Sequence, residues 1–275
     1  MKIRIGSSGI PLSCKGGSSI DGTRCISELG LDAMEVAFTH GIYMSLPAAR
    51  EFGKVAKELD VKLSVHAPYY INLASEKLNV VKASKKRILD SLHRGELMGA
   101  TVVVAHAGYY GKDKENGIKM ISDACQELSK IIEKNKWKIK LGLETMGKQK
   151  SFGILDEIIE ISKKIKNVIP YLDIAHIYAG NGGKIDYTEI FDKLKVLKMK
   201  EYNSHFSGIN YSLVGIGKGN EKNHVPMKES GIDFKGFAKE ILKRKLNITL
   251  ISESPVLEHD AIVMKKIFEK LGHKF

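Results

Sequence analysis

Five of the nine histidines in this 275-residue chain stand at or just beyond the ends of short apolar runs. Lys62–His66 closes on His66, and Thr101–His106 closes on His106. Lys140–Glu144 ends in Glu144, and Val168–Asp173 ends in Asp173 with His176 three residues on. His205 lies near the end of Glu201–Phe206, His224 follows in the long segment after it, and Ile248–Glu253 ends in Glu253. A lone histidine at a strand end is ordinarily a hydrogen-bonded core or rim residue. Five of them alongside three carboxylates form a ligand mixture suited to Zn2+, with Mn2+ or Fe2+ as alternatives. One tetrahedral zinc takes about four ligands, so eight candidates imply two or three ions and at least one bridging carboxylate. Ions roughly 3.5–4 Å apart can activate water, bind a phosphoryl oxygen and stabilise a leaving alkoxide. Phosphodiester hydrolysis fits that arrangement better than sugar isomerisation, which needs fewer histidines. The other four, His40, His93, His259 and His273, fall in loop or helix patterns and are read as structural or solvent-exposed.

The elements that must gather these groups are legible as alternation. Eight runs, adding Ile3–Gly6 and Ala33–Phe38 to the six above, are rich in Val, Ile and Leu without strict alternation, as in parallel strands buried on both faces. Helical patterns lie between them, at Glu76–Leu97, Ile118–Lys134 and Ile154–Ile165. Phe234, Phe237, Ala238, Ile241 and Leu242 form another apolar stripe, with Asp233 placed as its N-cap. Strands and helices in that order predict a single (β/α)8 barrel over residues 1–275, with its site at the C-terminal face of the strands. A doubly wound open sheet is the alternative, but no GxGxxG follows the first strand. Gly208–Ser230 has no apolar periodicity and reads as a long functional or mobile loop.

Lys and Arg number 44 against 32 Asp and Glu, a net charge of +12, which favours anionic partners and nucleic acid first. Lysine dominates that excess, and Lys/Glu-rich surfaces also serve solvation. No apolar run approaches the ~18 residues a membrane span requires. Three cysteines, Cys14, Cys25 and Cys125, cannot all pair and contain no CxxC, so no disulfide framework is expected and a reducing cytoplasm is. Met1–Gly6 runs straight into a strand pattern, so no signal peptide is expected, and the chain is expected to act as a monomer.

Several segments together resemble the endonuclease IV family of apurinic/apyrimidinic endonucleases, in the xylose-isomerase-like barrel superfamily. They are His66-Ala67-Pro68-Tyr69-Tyr70-Ile71-Asn72-Leu73, Val104-Ala105-His106-Ala107-Gly108, Leu143-Glu144-Thr145, Leu172-Asp173-Ile174-Ala175-His176, Ser204-His205-Phe206 and Ser252-Glu253-Ser254-Pro255. The resemblance covers almost the whole chain. It implies a zinc cluster that cleaves duplex DNA on the 5′ side of an abasic site, with removal of 3′-blocking groups as a second activity. By position, His66 and His106 would hold one ion. Glu144 would bridge it to a second, completed by Asp173, His205 and Glu253. His176 and His224 would hold a third. Glu253 would also orient or deprotonate the attacking water, making Glu253 and Glu144 the catalytic carboxylates.

The family's Asp-x-His motif is replaced here by Glu221-Lys222-Asn223-His224, with Lys222 where the aspartate would stand. Either Glu221 substitutes for it, or water does, or the third ion is absent. Tyr69 matches a minor-groove wedge of the family, against the reading of a plain rim aromatic. Asn72 would bond either the loop backbone or a phosphate. Lys112 either tracks the DNA backbone or sits in a flexible turn. Two rival functions remain on the same barrel: a sugar isomerase or epimerase, and a non-catalytic barrel that binds damaged DNA.

Overall fold

Runs of β-branched and aliphatic residues too short for helices build the strands. The computed structural model describes residues 1–275. It contains β1 (Ile3–Ser8), β2 (Ala33–Ala37), β3 (Lys62–His66), β4 (Val102–Ala105), β5 (Lys140–Glu144), β6 (Val168–Asp173) and β7 (Tyr202–Phe206). A hairpin of β8 (Gly208–Gly215) and β9 (Lys218–Val225) follows, then β10 (Ile248–Ser252). The hydrogen-bonded order β1-β10-β7-β6-β5-β4-β3-β2 closes on itself, so the fold is the (β/α)8 barrel that the alternation predicts. The pairing is parallel, with Ile3–Ser7 opposite Ile248–Ser252 and Val102–Ala105 opposite Lys140–Leu143. The helices are α1 (Ser19–Glu28), α2 (Leu46–Glu58), α3 (Leu78–Met98), α4 (Lys114–Lys134), α5 (Leu155–Lys164), α6 (Ile174–Gly180), α7 (Tyr187–Leu194), α8 (Phe234–Arg244) and α9 (Glu258–Lys270).

The chain packs as two compact units. One comprises Met1–Met34, Gly147–Gln149 and Leu172–Phe275; the other comprises Glu35–Met146 and Lys150–Tyr171. In the first, the stripe of α8 buries Phe234, Phe237, Ala238 and Ile241. Phe206 meets Phe234 edge-on at 4.7 Å and stacks with Phe237 at 5.5 Å, so β7 is tied to α8 by aromatic contacts. Asp233 does occupy the N-cap position of α8, but its side chain makes no capping hydrogen bond; its carbonyl accepts from the Tyr187 hydroxyl at 3.0 Å. In the second unit, Val102, Val104 and Tyr171 pack together. The buried carboxylate of Glu35 accepts from Ser64 Oγ at 2.8 Å and Tyr171 Oη at 3.2 Å, which offsets its loss of water.

Two expectations are corrected. Gly208–Ser230 is largely the antiparallel hairpin β8–β9 rather than an irregular loop, turned by Ile216 and Gly217, the latter at φ +66°. Its alternation was invisible because Leu213, Val214 and Ile216 at its tip are exposed rather than packed on a core. Cys14 and Cys25 are joined in a disulfide, contrary to the expectation of reduced cysteines. The first βα connection doubles back over α1, held by Glu258, whose carboxylate accepts from the amides of Leu12 and Ser13, each at 2.9 Å. Two cysteines only eleven positions apart meet because of that turn.

Cys125 is the free cysteine; it is buried in α4, and desolvation pushes its thiol up to about 12. An alkylating reagent at pH 8 should therefore leave the native protein unlabelled. Unfolding without reductant should expose one thiol and reduction three. Three thiols before reduction, in protein purified under air, would refute the Cys14–Cys25 bond.

Candidate metal centre

Parallel register brings the C-terminal residues of β3, β4 and β5 side by side. His66 pairs with Val104, and Ala105 with Leu143, so His66, His106 and Glu144 end neighbouring strands. Glu144 Oε2 lies 2.9 Å from His106 Nε2 and 3.5 Å from His66 Nε2. The two imidazole rings cross at 79° with centroids 5.2 Å apart. One ligand atom from each of the three residues falls within 4.8 Å of the others, close enough to hold a metal ion. His66 Nδ1 sits 2.7 Å from the carbonyl of Ala67. A carbonyl only accepts, so Nδ1 carries the proton and Nε2 can present its lone pair to a cation.

Tyr69 stands beside this trio. It is 48% exposed, with its ring 5.5 Å from His66 and 5.9 Å from His106. Asn72 Oδ1 accepts from the amide of Ala74 at 3.2 Å, so it serves the loop backbone. Lys112 is exposed in the connection between β4 and α4.

The other unit builds a second cluster. Asp173 is both the last residue of β6 and the N-cap of α6, its Oδ1 accepting from the amide of His176 at 2.5 Å. That cap explains the Asp-x-x-His spacing, because the first helical turn returns His176 to the strand end. Asp173, His176 and His224 again offer ligand atoms within 4.8 Å, and the rings of His176 and His224 lie 5.1 Å apart. His205 is opposite Asp173 in the β6–β7 register; its Nδ1 is 3.8 Å from Asp173 Oδ2 and 3.3 Å from Glu253 Oε2. Glu253 Oε2 is buried and accepts no hydrogen bond, yet it also lies 3.6 Å from His224 Nε2. A buried carboxylate oxygen facing two imidazole nitrogens in this way fits a cation between them.

Two residues outside the strand-end pattern flank the second cluster. Ser207 is fully buried, and its Oγ is 2.6 Å from His224 Nδ1, which orients that ring. Nothing in the sequence marks Ser207 as the partner of an imidazole. Glu221 approaches His176 from the bulged strand β9, with Oε2 3.6 Å from His176 Nε2. The remaining histidines stay outside both clusters: His93 stacks on Trp137 at 5.4 Å, His273 packs on Phe275 at 4.7 Å, and His40 and His259 are exposed.

A closed parallel barrel with imidazoles and carboxylates at its strand ends is of the enzyme-like (β/α)8 class. Residues 24–267 match the model of the xylose isomerase-like TIM barrel family, and the chain belongs to that family. It is 32% identical to an uncharacterized protein of Methanocaldococcus jannaschii over 97% of each chain. It is 30% identical to a probable endonuclease 4 of Ureaplasma urealyticum over 53% of this chain and 49% of the relative, so that match spans about half of each. Among solved structures, a D-tagatose 3-epimerase-like protein superposes with a TM-score of 0.73 at 23% identity, covering 98% of this chain and 96% of the other. Endonuclease IV from Thermus thermophilus superposes with a TM-score of 0.72 at 18% identity, covering 96% of this chain and 98% of the other. These superpositions define the barrel and do not choose between the two chemistries.

Replacing Ser207 with Ala removes the partner of His224 Nδ1 without touching a candidate ligand. Metal affinity should fall roughly 10- to 100-fold, measured by Zn2+ titration against a competing chelator. Unaltered affinity would reduce Ser207 to a packing residue.

Proposed function

We propose that this chain is a divalent-metal-dependent endonuclease that hydrolyses the phosphodiester 5′ to an abasic site in duplex DNA, with release of 3′-blocking groups as a second activity. The observation that carries the reading is the donor set, in which five imidazoles and three carboxylates fall into tight clusters at strand ends. Sugar isomerases and epimerases on this barrel need fewer imidazoles. The net charge of +12 and the half-length likeness to a probable endonuclease 4 favour a nucleic-acid substrate.

In this reading the whole chain acts as one catalytic domain, a cytoplasmic monomer, and Zn2+ suits the nitrogen-rich donors, with Mn2+ as the alternative. His66, His106 and Glu144 would hold one ion, Asp173, His205 and Glu253 a second, and His176 and His224 a third. When bound, such ions make water nucleophilic at neutral pH and neutralise charge on the phosphate.

The chain's own groups do the rest. Glu253 orients the attacking water and takes its proton. The Nδ1–H of His66 is fixed by Ala67, which keeps Nε2 aimed at Glu144. Tyr69 is exposed beside the histidine pair and wedges into the gap left by the missing base. Asn72 holds the shape of the loop that carries Tyr69, and Lys112 neutralises a backbone phosphate. Damage is then sensed through deformability rather than base readout.

The test is a nicking assay on a duplex carrying one tetrahydrofuran abasic analogue. Metal-replete protein should make one cut 5′ to the lesion and leave a 3′-hydroxyl. Glu253→Gln should lower the rate roughly 10²- to 10⁴-fold with unchanged circular dichroism. Intact duplex together with ketose epimerisation would transfer the chain to the sugar enzymes. Tight binding of the abasic duplex without cleavage would make it a damage sensor.

A further inference from the structure

Lys222 is skipped in the pairing of the hairpin. Asn210 lies opposite Asn223, but Tyr211 lies opposite Glu221, so β9 carries one extra residue at Lys222. In a regular strand, residues two apart share a face, and Lys222 would point where His224 points. The bulge breaks that alternation and turns Glu221 onto the face of His224. Lys222 is exposed, whereas the Glu221 side chain is only 8% exposed.

We propose that Glu221 is a metal-ligating carboxylate of the Asp173–His176–His224 cluster, delivered by the bulge and held in place by Gly147–Gln149. The proposal rests on the reading that these clusters bind divalent cations. Glu221 Oε2 lies 3.6 Å from His176 Nε2, beside the Asp173, His176 and His224 atoms that gather within 4.8 Å of one another, and its carboxylate would make theirs a four-donor set suited to zinc. Gly147 N donates to the same oxygen at 2.6 Å, and Lys148 Nζ lies 3.6 Å from Oε1. Both contacts fix the carboxylate in place, and an oxygen that accepts one hydrogen bond keeps a lone pair for a metal.

The segment bearing Gly147 is itself fastened to the hairpin. Gln149 N donates to Asn220 Oδ1 at 2.9 Å, and Gln149 Nε2 donates to the carbonyls of Gly180 and Gly219 at 3.0 and 2.9 Å. These bonds link the strap to the end of α6 and to β9. Glycine is required at 147 for a steric reason, since a Cβ there would lie 2.4 Å from Glu221 Oε2 and 2.8 Å from the carbonyl of His176. The strap therefore sets the position of the carboxylate from behind.

A structural role and a ligand role make opposite demands on Glu221→Gln. The amide oxygen of glutamine still accepts from Gly147, but the negative charge is gone. The experiment is metal content by mass spectrometry after chelation and reconstitution of the 275-residue chain with Zn2+, with melting temperatures in chelator as a control on folding. Glu221→Gln should bind the weakest ion at least about 10-fold less tightly while melting like the wild type in chelator. Gly147→Ala should weaken the same ion with every candidate donor retained. Lys222→Asp should leave the ion count unchanged, because that side chain points outward. Wild-type affinity in Glu221→Gln, or an ion gained in Lys222→Asp, would overturn the assignment and leave the proposed nuclease standing. A wild-type protein that takes up no metal would overturn both.

Discussion

Carboxylates withdrawn from water set the terms for this molecule. The side chains of Glu144 and Asp173 are fully buried, and a charge so placed is tolerated only with hydrogen-bond donors or a cation beside it. Each is met differently. Glu144 faces two imidazoles from neighbouring strands. Asp173 gives one oxygen to the first turn of α6 and turns the other toward His205. Deleting a histidine from either group would leave a buried charge short of a partner. The same residues therefore govern stability and chemistry, and their variants need a folding control before loss of activity is read as mechanism.

The barrel supplies these partners with little demand on the sequence. Parallel register places the last residue of one strand beside the last residue of the next, so no long connection has to position a ligand. His66, Glu144 and Asp173 are terminal strand residues, while His106 and Glu253 sit one residue beyond their strands. Side chains at such positions inherit the rigidity of the sheet. Residues that only orient them come from connecting segments: the carbonyl of Ala67, the hydroxyl of Ser207 and the amide of Gly147.

That division explains what the sequence revealed. The runs Lys62–His66, Lys140–Glu144 and Val168–Asp173 coincide with β3, β5 and β6, because strands buried on both faces leave uninterrupted apolar runs. The stripe from Phe234 to Ile241 coincides with α8 because its spacing follows the helical repeat. The hairpin escaped because it lies away from the core, where no burial enforces alternation. Glu221 escaped because a bulge changes which face a residue occupies, and a bulge is a property of the pairing of two strands. The Cys14–Cys25 bond escaped because it depends on the path of a connection rather than on spacing.

The closed barrel alone does not separate a nuclease from a sugar epimerase, since both kinds of enzyme superpose on it equally well. The proposed nuclease reading therefore rests on the donors and on the groups beside them. A small sugar needs an enclosed pocket with polar groups aimed inward. Here the exposed ring of Tyr69 stands beside the first cluster, and His224 of the second is carried by a hairpin whose tip projects Leu213, Val214 and Ile216 into solvent. Apolar groups held out in water suit a large surface brought to them, such as a duplex whose stacking is already broken. Those exposed apolar groups, each beside its own cluster, and the nitrogen-rich donor set are what the proposed nuclease reading rests on beyond the fold.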